Sequence, residues 1–200
     1  IYKIEINHNF IIHGKGDFAY RKNLYNIAGY ETTVVKKPTS NSLLFTFAGC
    51  LNLTNSDIVE NLDVSDVTSM NGAFMNTLKL DVTLWQWQSL NNNTGLANLT
   101  SARRMFYGSG FNRSLGTWKP VALKNAERMF SYSKFNQETI ISWALNLTTA
   151  LNNVSHMFSF SKMNQIMNDF DAIINGCEGV DTMFLYSDMQ KSNLPNNVLL

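Results

Sequence analysis

The sequence predicts an α/β repeat protein, a solenoid in which each unit contributes a short parallel strand and a short helix. The main support is a set of six phenylalanines that recur at intervals of 27, 32, 24, 28 and 26 residues. Units of this size typically stack on one another, because a single unit cannot bury its apolar face alone. The six residues are Phe47, Phe74, Phe106, Phe130, Phe158 and Phe184.

The helix of each unit is predicted from the residues that precede the phenylalanine. Apolar side chains recur at i, i+3, i+6 and i+7, as at Leu99, Ala102, Met105 and Phe106. This spacing places the four side chains on one face of a short helix. In four units a methionine directly precedes the phenylalanine and extends this predicted core, at Met105, Met129, Met157 and Met183.

The strand of each unit is predicted from the residues that follow a further set of core positions, which lie twelve or thirteen residues after the phenylalanine. These positions carry a large aromatic side chain, at Trp87, Trp118, Trp143 and Phe170. The residues that follow Trp143 alternate between apolar and polar and suit a short strand. One strand and one short helix per unit of about 27 residues is the leucine-rich-repeat type of solenoid.

The two ends of the chain are predicted to differ from the repeats. Residues 1–40 lack the repeat, and the segments 1–6, 10–12 and 30–35 are typical of strands. We expect residues 1–40 to form a small β cap or linking segment over the first repeat, since terminal repeats need a cover. Residues 41–200 are predicted to hold about five to six repeats, with the array continuing beyond Leu200.

An asparagine also recurs, six residues after the phenylalanine, at Asn112, Asn136 and Asn164. At a repeating turn, asparagine side chains can bond neighbouring backbone groups and form a ladder. The alternative is a polar strip that recognises a partner. The ladder is the favoured interpretation, because each asparagine follows a predicted core residue.

These repeats are similar to those of a known family. The segment 62–70, with the sequence LDVSDVTSM, the Met-Phe pairs and the pair Phe111-Asn112 resemble the BspA-like leucine-rich-repeat surface proteins. The same repeat is found in mycoplasma lipoproteins. The resemblance implies a non-enzymatic module, displayed at a cell surface or extracellularly, that contacts proteins or host surfaces. Similar repeats occur in phage and virus structural proteins, so a decoration or fibre component of a virion, packed against neighbouring subunits, is the alternative.

Composition excludes several other classes of protein. Charged residues make up 16% of the chain and the formal net charge is +1, which argues against a nucleic-acid partner. No apolar run approaches the roughly 18 residues of a membrane span, and no targeting segment is recognisable in this chain. The sequence does not indicate an oligomeric state.

Catalytic, metal and cofactor chemistry is not predicted. Cys50 and Cys177 occupy repeat positions and are expected to be reduced, buried core residues. His8, His13 and Asp17 are the strongest metal candidates, but their spacing matches no zinc pattern. No nucleophile elbow or catalytic-cysteine signature is present. We therefore predict no catalytic residue, no metal site and no cofactor.

Partner binding is predicted at aromatic residues outside the core series. Tyr132, Phe160 and Tyr186 lie two residues after their phenylalanine, and Tyr107 lies one residue after. If these rings point outward, they form a stripe suited to a protein surface or to stacking on the sugar rings of a glycan. The alternative, which the sequence favours, is that they wedge between neighbouring repeats. Trp85 is a further candidate.

Overall fold

Regular secondary structure is sparse in this protein. The computed structural model describes residues 41–54, 57–60, 62–84, 86–87, 95–116, 118–138, 151–167 and 170–195. Within these ranges the α-helices with defined bounds are α1, Asp57–Glu60, and α2, Asp171–Ile174, each of four residues. A 3-10 turn follows at Lys191–Asn193. Consecutive units meet through isolated parallel β-bridges, the first between Ser42 and Ser69.

Each bridge residue opens a run of consecutive turns, which we call a turn segment and number from position 1, the bridge residue, to position 9. The recurring phenylalanine stands at position 6 of every segment. The bridges pair each segment with the next one along the chain, so the segments lie side by side in chain order. The six turn segments are 42–50, 69–77, 101–109, 125–133, 153–161 and 179–187.

Backbone amides in a turn segment alternate between two kinds of acceptor. The Met129 amide donates to the Ala126 carbonyl at 3.0 Å and closes a turn, whereas the Phe130 amide donates to the Met157 carbonyl of the next segment at 2.9 Å. The same rule holds across the first five segments: amides at positions 5, 7 and 9 close turns, and amides at positions 2, 4, 6 and 8 join a segment to the next one. In the sixth segment the Leu185 and Ser187 amides, at positions 7 and 9, close turns. Buried backbone donors are therefore satisfied without a helix or an extended strand.

The predicted α/β leucine-rich-repeat solenoid is therefore wrong. Within the described residues there is no β-strand, and the apolar series ending at each phenylalanine forms turns closed by bonds from an amide to the third residue before it. Positions 4 and 8 have positive φ, as at Arg128 (55°) and Tyr132 (58°), which breaks any helix. A spacing of i, i+3, i+6 and i+7 suits such turns as well as it suits a helix.

The core is built from columns of side chains that repeat from segment to segment. The six phenylalanines at position 6 are buried and stack, with successive ring centroids 5.1, 5.5, 5.5, 5.6 and 5.4 Å apart. Trp87 and Trp118 stack on each other, with ring centroids 6.0 Å apart. The Trp87 indole nitrogen donates to the Val59 carbonyl, and that of Trp118 donates to the Leu84 carbonyl. Other buried members of the core are Met105, Met129, Met157, Met183 and Phe170.

A hydroxyl side chain stands at position 9 of the last five turn segments. The Ser133 Oγ donates to the Phe130 carbonyl at 2.6 Å and accepts from the Phe135 amide at 3.2 Å. Ser161 makes the equivalent pair of bonds, to the Phe158 carbonyl and the Met163 amide. Ser133 and Ser161 are buried, so their hydroxyls give the Phe135 and Met163 amides an acceptor at the end of the segment.

Several sequence predictions fall on residues outside the described ranges. The β cap predicted for 1–40 is one, and with it the metal candidates His8, His13 and Asp17. The predicted core residue Trp143 is another. These remain predictions.

Phe130 lies in the middle of the stack and tests its contribution to stability. Replacing it with alanine, Phe130→Ala, removes contacts with three rings and leaves a cavity, so we expect a loss of about 3–5 kcal/mol in the free energy of unfolding. Urea denaturation measures this loss. Lys134→Ala, at an exposed position just after the same segment, is the control and should change stability by about 0.5 kcal/mol or less. Similar losses for the two variants would contradict the stacked core.

Candidate functional site

Four aromatic side chains form a continuous row on the surface of the turn segments. We call this row the aromatic ladder: Tyr107, Tyr132, Phe160 and Tyr186. The successive ring centroids are 5.3, 4.5 and 5.0 Å apart. The ladder therefore runs across the last four turn segments, in the same order as the buried phenylalanine column and with a similar spacing.

The ladder is open to solvent. Tyr186 is 74% exposed, Tyr132 51% and Phe160 41%, and Tyr107 is half-buried. The three most exposed rings therefore do not wedge between neighbouring repeats, which was the alternative favoured by the sequence. Trp85, the fifth binding candidate, lies outside the described residues.

Backbone conformation distinguishes three of these rings. Tyr132, Phe160 and Tyr186 occupy position 8, with φ of 58°, 55° and 54°. The same position carries Gly49 and Gly108 in earlier segments, also with positive φ. A bulky side chain in this left-handed region costs roughly 1–2 kcal/mol relative to glycine. Three aromatic residues thus stand where glycine would be less strained, although the same backbone conformation also recurs at position 4 of the segments and so belongs to the repeat as a whole.

Only the two central rings of the ladder are stacked face to face. Tyr132 and Phe160 are nearly parallel, with an angle of 5° between their planes. Tyr107 and Tyr186 are tilted against these two central rings by 50° and 41°. The ladder therefore presents ring edges to solvent along its central part.

The recurring asparagines form a structural ladder of their own. The Asn136 Oδ1 accepts hydrogen bonds from the Asn164 amide at 2.9 Å and from the Gln165 side chain at 3.0 Å. Asn112 accepts in the same way from the Asn136 amide and from Gln137. Because these oxygens bind the backbone of the next repeat, the geometry favours the structural interpretation over a recognition strip.

Titratable and nucleophilic groups are dispersed among the described residues, where no three His, Cys, Asp or Glu side chains come together as metal ligands. His156 contacts the Thr182 hydroxyl through Nδ1 at 2.7 Å, and this pair is exposed. Neither Cys50 nor Cys177 forms a disulfide, and Cys50 is buried. Cys177 is only partly buried, which differs from the sequence expectation. Burial nevertheless raises the pKa of its thiol and so disfavours the reactive thiolate.

Ion pairs link neighbouring repeats at the surface. Arg113 forms a two-pronged contact with Asp81, at 2.5 and 2.7 Å, and its hydrogen bonds and charge lower the pKa of that carboxyl. Arg103 pairs with Glu127 at 2.8 Å. All four groups are at least partly exposed, so each pair adds little to stability.

No helix in the described part of the chain is long and apolar enough to cross a membrane.

The asparagine ladder predicts a contrast between two variants of one residue. Asn136→Ala removes an acceptor used by two donors, so we expect a loss of about 1–2 kcal/mol in the free energy of unfolding. Asn136→Asp keeps the acceptor oxygen and should stay within about 0.5 kcal/mol of the wild type. Urea denaturation of both variants measures the difference. Equal losses would show that the oxygen does not join the repeats.

The left-handed backbone of the aromatic ladder predicts an unusual order of stabilities. Tyr132→Gly and Tyr132→Ala both lose the ring, but only glycine relieves the strain at positive φ. We therefore expect the glycine variant to be the more stable of the two by about 1 kcal/mol. Thermal unfolding compares them directly. An alanine variant as stable as the glycine variant would mean that this position is not strained.

Comparison with known proteins identifies a family. Three overlapping matches, at residues 22–95, 39–170 and 88–196, are to the family model described as "Mycoplasma protein of unknown function, DUF285". The match supports the mycoplasma part of the resemblance and does not show membership of the BspA-like leucine-rich-repeat proteins. No curated protein and no solved structure gave a match. Since the matches together span most of the sequence, the chain belongs to the DUF285 family of Mycoplasma proteins.

Proposed function

We propose that this chain is a non-enzymatic recognition module that binds a protein or host surface along its aromatic ladder. The observation that carries the proposal is the row of four aromatic rings, three of them more than 40% exposed, on successive turn segments. Display at a cell surface is part of the proposal and is suggested by the resemblance to BspA-like surface proteins.

Energetic considerations support a binding role for the ladder. Tyrosine is enriched at the residues that dominate binding energy in protein interfaces, because it combines a large apolar surface with a hydroxyl. Exposed aromatic rings gain little for folding, and three of these occupy strained backbone positions. Ring stacking offsets part of that strain, at about 0.5–1.5 kcal/mol per pair. Glycine is sufficient for the fold at position 8, as Gly49 and Gly108 demonstrate. A role in binding accounts for the presence of aromatic rings at the same position in three other segments.

The glycines at position 8 also provide a sharp experiment. The triple variant Tyr132→Gly, Phe160→Gly, Tyr186→Gly removes the exposed rings and leaves the residue that the fold already uses at this position. We expect fluorescently labelled wild-type protein to bind cultured epithelial cells saturably, and the triple variant to bind at least about tenfold more weakly. Flow cytometry measures both.

A matched control removes exposed apolar side chains elsewhere. Leu44 and Ile166 are 45% and 61% exposed and lie outside the ladder. The double variant Leu44→Ser, Ile166→Ser should bind as the wild type does. Undiminished binding by the triple variant, or an equal loss in the control, would contradict the proposal. Self-association that depends on the ladder, seen by sedimentation, would instead favour a structural role in an assembly.

A further inference from the structure

Charge is distributed unevenly along the chain. Residues 101–165 carry eight basic and two acidic side chains, whereas residues 166–200 carry one basic and five acidic ones. The formal net charge of +1 for the whole chain therefore conceals a basic central part. Three of the four ladder rings, at Tyr107, Tyr132 and Phe160, belong to this basic part.

Two lysines of the basic part flank the ladder. Lys134 follows Tyr132 and Lys162 follows Phe160 by two residues, and the serine between each pair is buried. Their amides are held by the Ser109 and Ser133 carbonyls, at 3.1 and 3.2 Å. Both side chains are exposed. The two lysines thus lie at equivalent positions of neighbouring repeats, each two residues along the chain from one of the two central rings.

Only one of these lysines has an acidic neighbour. The Lys162 Nζ lies 3.1 Å from the Asp188 Oδ2. Among the described residues, no carboxylate lies within ion-pair distance of Lys134. Like charges on neighbouring rungs repel one another unless a counter-charge is present. The two lysines share a single carboxylate partner among the described residues, which leaves positive charge for a further acidic group.

The exposed edges of the rings also favour negatively charged groups. The edge of an aromatic ring carries partial positive charge and its face partial negative charge. Nucleic-acid bases bind aromatic side chains mainly by stacking on the faces, and here Tyr132 and Phe160 each cover one face of the other. The edges of the two central rings, with a lysine two residues further along the chain in each case, suit carboxylates better than they suit bases.

We infer that the aromatic ladder binds an acidic polypeptide segment of a partner protein, whose carboxylates lie at Lys134 and Lys162 and against the ring edges. This inference rests on the proposed function and specifies the partner that the ladder recognises. Because the contacts are solvent-exposed, the charged part of the binding energy is expected to weaken as salt screens it.

Synthetic polymers of defined charge test the inference. We expect immobilised wild-type protein to bind a random copolymer of glutamate and tyrosine, and to bind a copolymer of lysine and tyrosine at least about tenfold more weakly. Chitohexaose and an oligothymidylate should also bind at least about tenfold more weakly. Binding of the acidic polymer should fall between about 50 and 300 mM NaCl. Biolayer interferometry measures each probe.

Charge-matched variants test the location. Lys134→Glu, Lys162→Glu should weaken binding of the acidic polymer about tenfold or more. Lys79→Glu, Lys124→Glu makes the same change in net charge at exposed positions outside the ladder and should have little effect. An equal effect of the two double variants would overturn the inference, because binding would then follow net charge alone.

The remaining outcomes separate this inference from the proposed function. Failure of the acidic polymer to bind, or preferred binding of chitohexaose or the oligothymidylate, would overturn the acidic partner. The recognition role would still stand if the triple glycine variant lost binding to cells. A dimer that the Lys134→Glu, Lys162→Glu variant dissociates would make a second copy of this chain the occupant and would also overturn the inference.

Discussion

The alternating use of backbone amides is the constraint on which the rest of this structure depends. Alternate amides of a turn segment close turns and bind the next segment, so neither a helix nor an extended strand is needed to satisfy them. The hydrogen bonds between segments can form only when equivalent positions of neighbouring segments face one another. It therefore keeps the phenylalanines in a single column across intervals that range from 24 to 32 residues.

The same register that stacks the core also builds the surface. The side chain at position 6 is buried and the ring at position 8 is exposed, so repetition of the segment produces a buried ring column and an exposed one. Ring spacing in the aromatic ladder, 4.5–5.3 Å, resembles that of the core, 5.1–5.6 Å, because the backbone sets both. The asparagine ladder and the position 9 serines hold the backbone at and after the end of each segment in place through hydrogen bonds.

The columns could be predicted from the sequence, but the local backbone could not. Recurring phenylalanine, methionine and asparagine residues reveal which positions are equivalent, since stacking brings identical side chains together. The predicted helix was wrong because the apolar spacing does not distinguish it from consecutive turns. Left-handed φ at Arg104, Arg128 and Tyr132 has no sequence signal of the kind that glycine provides. The exposure of the position 8 rings goes with that conformation, so the sequence raised it as a possibility but favoured rings wedged between repeats.

Comparison of the segments that carry glycine at position 8 with those that carry an aromatic residue shows which features of this position the fold requires. Gly49 and Gly108 show that a turn segment forms without a side chain at this position, and Asn76 shows that a small polar one is accepted. Because backbone hydrogen bonds already set the spacing between segments, an aromatic residue at position 8 changes the chemistry of the surface without changing its geometry. Substitution at one position per repeat can thus create an exposed aromatic strip of defined spacing, while the buried phenylalanine column maintains the fold.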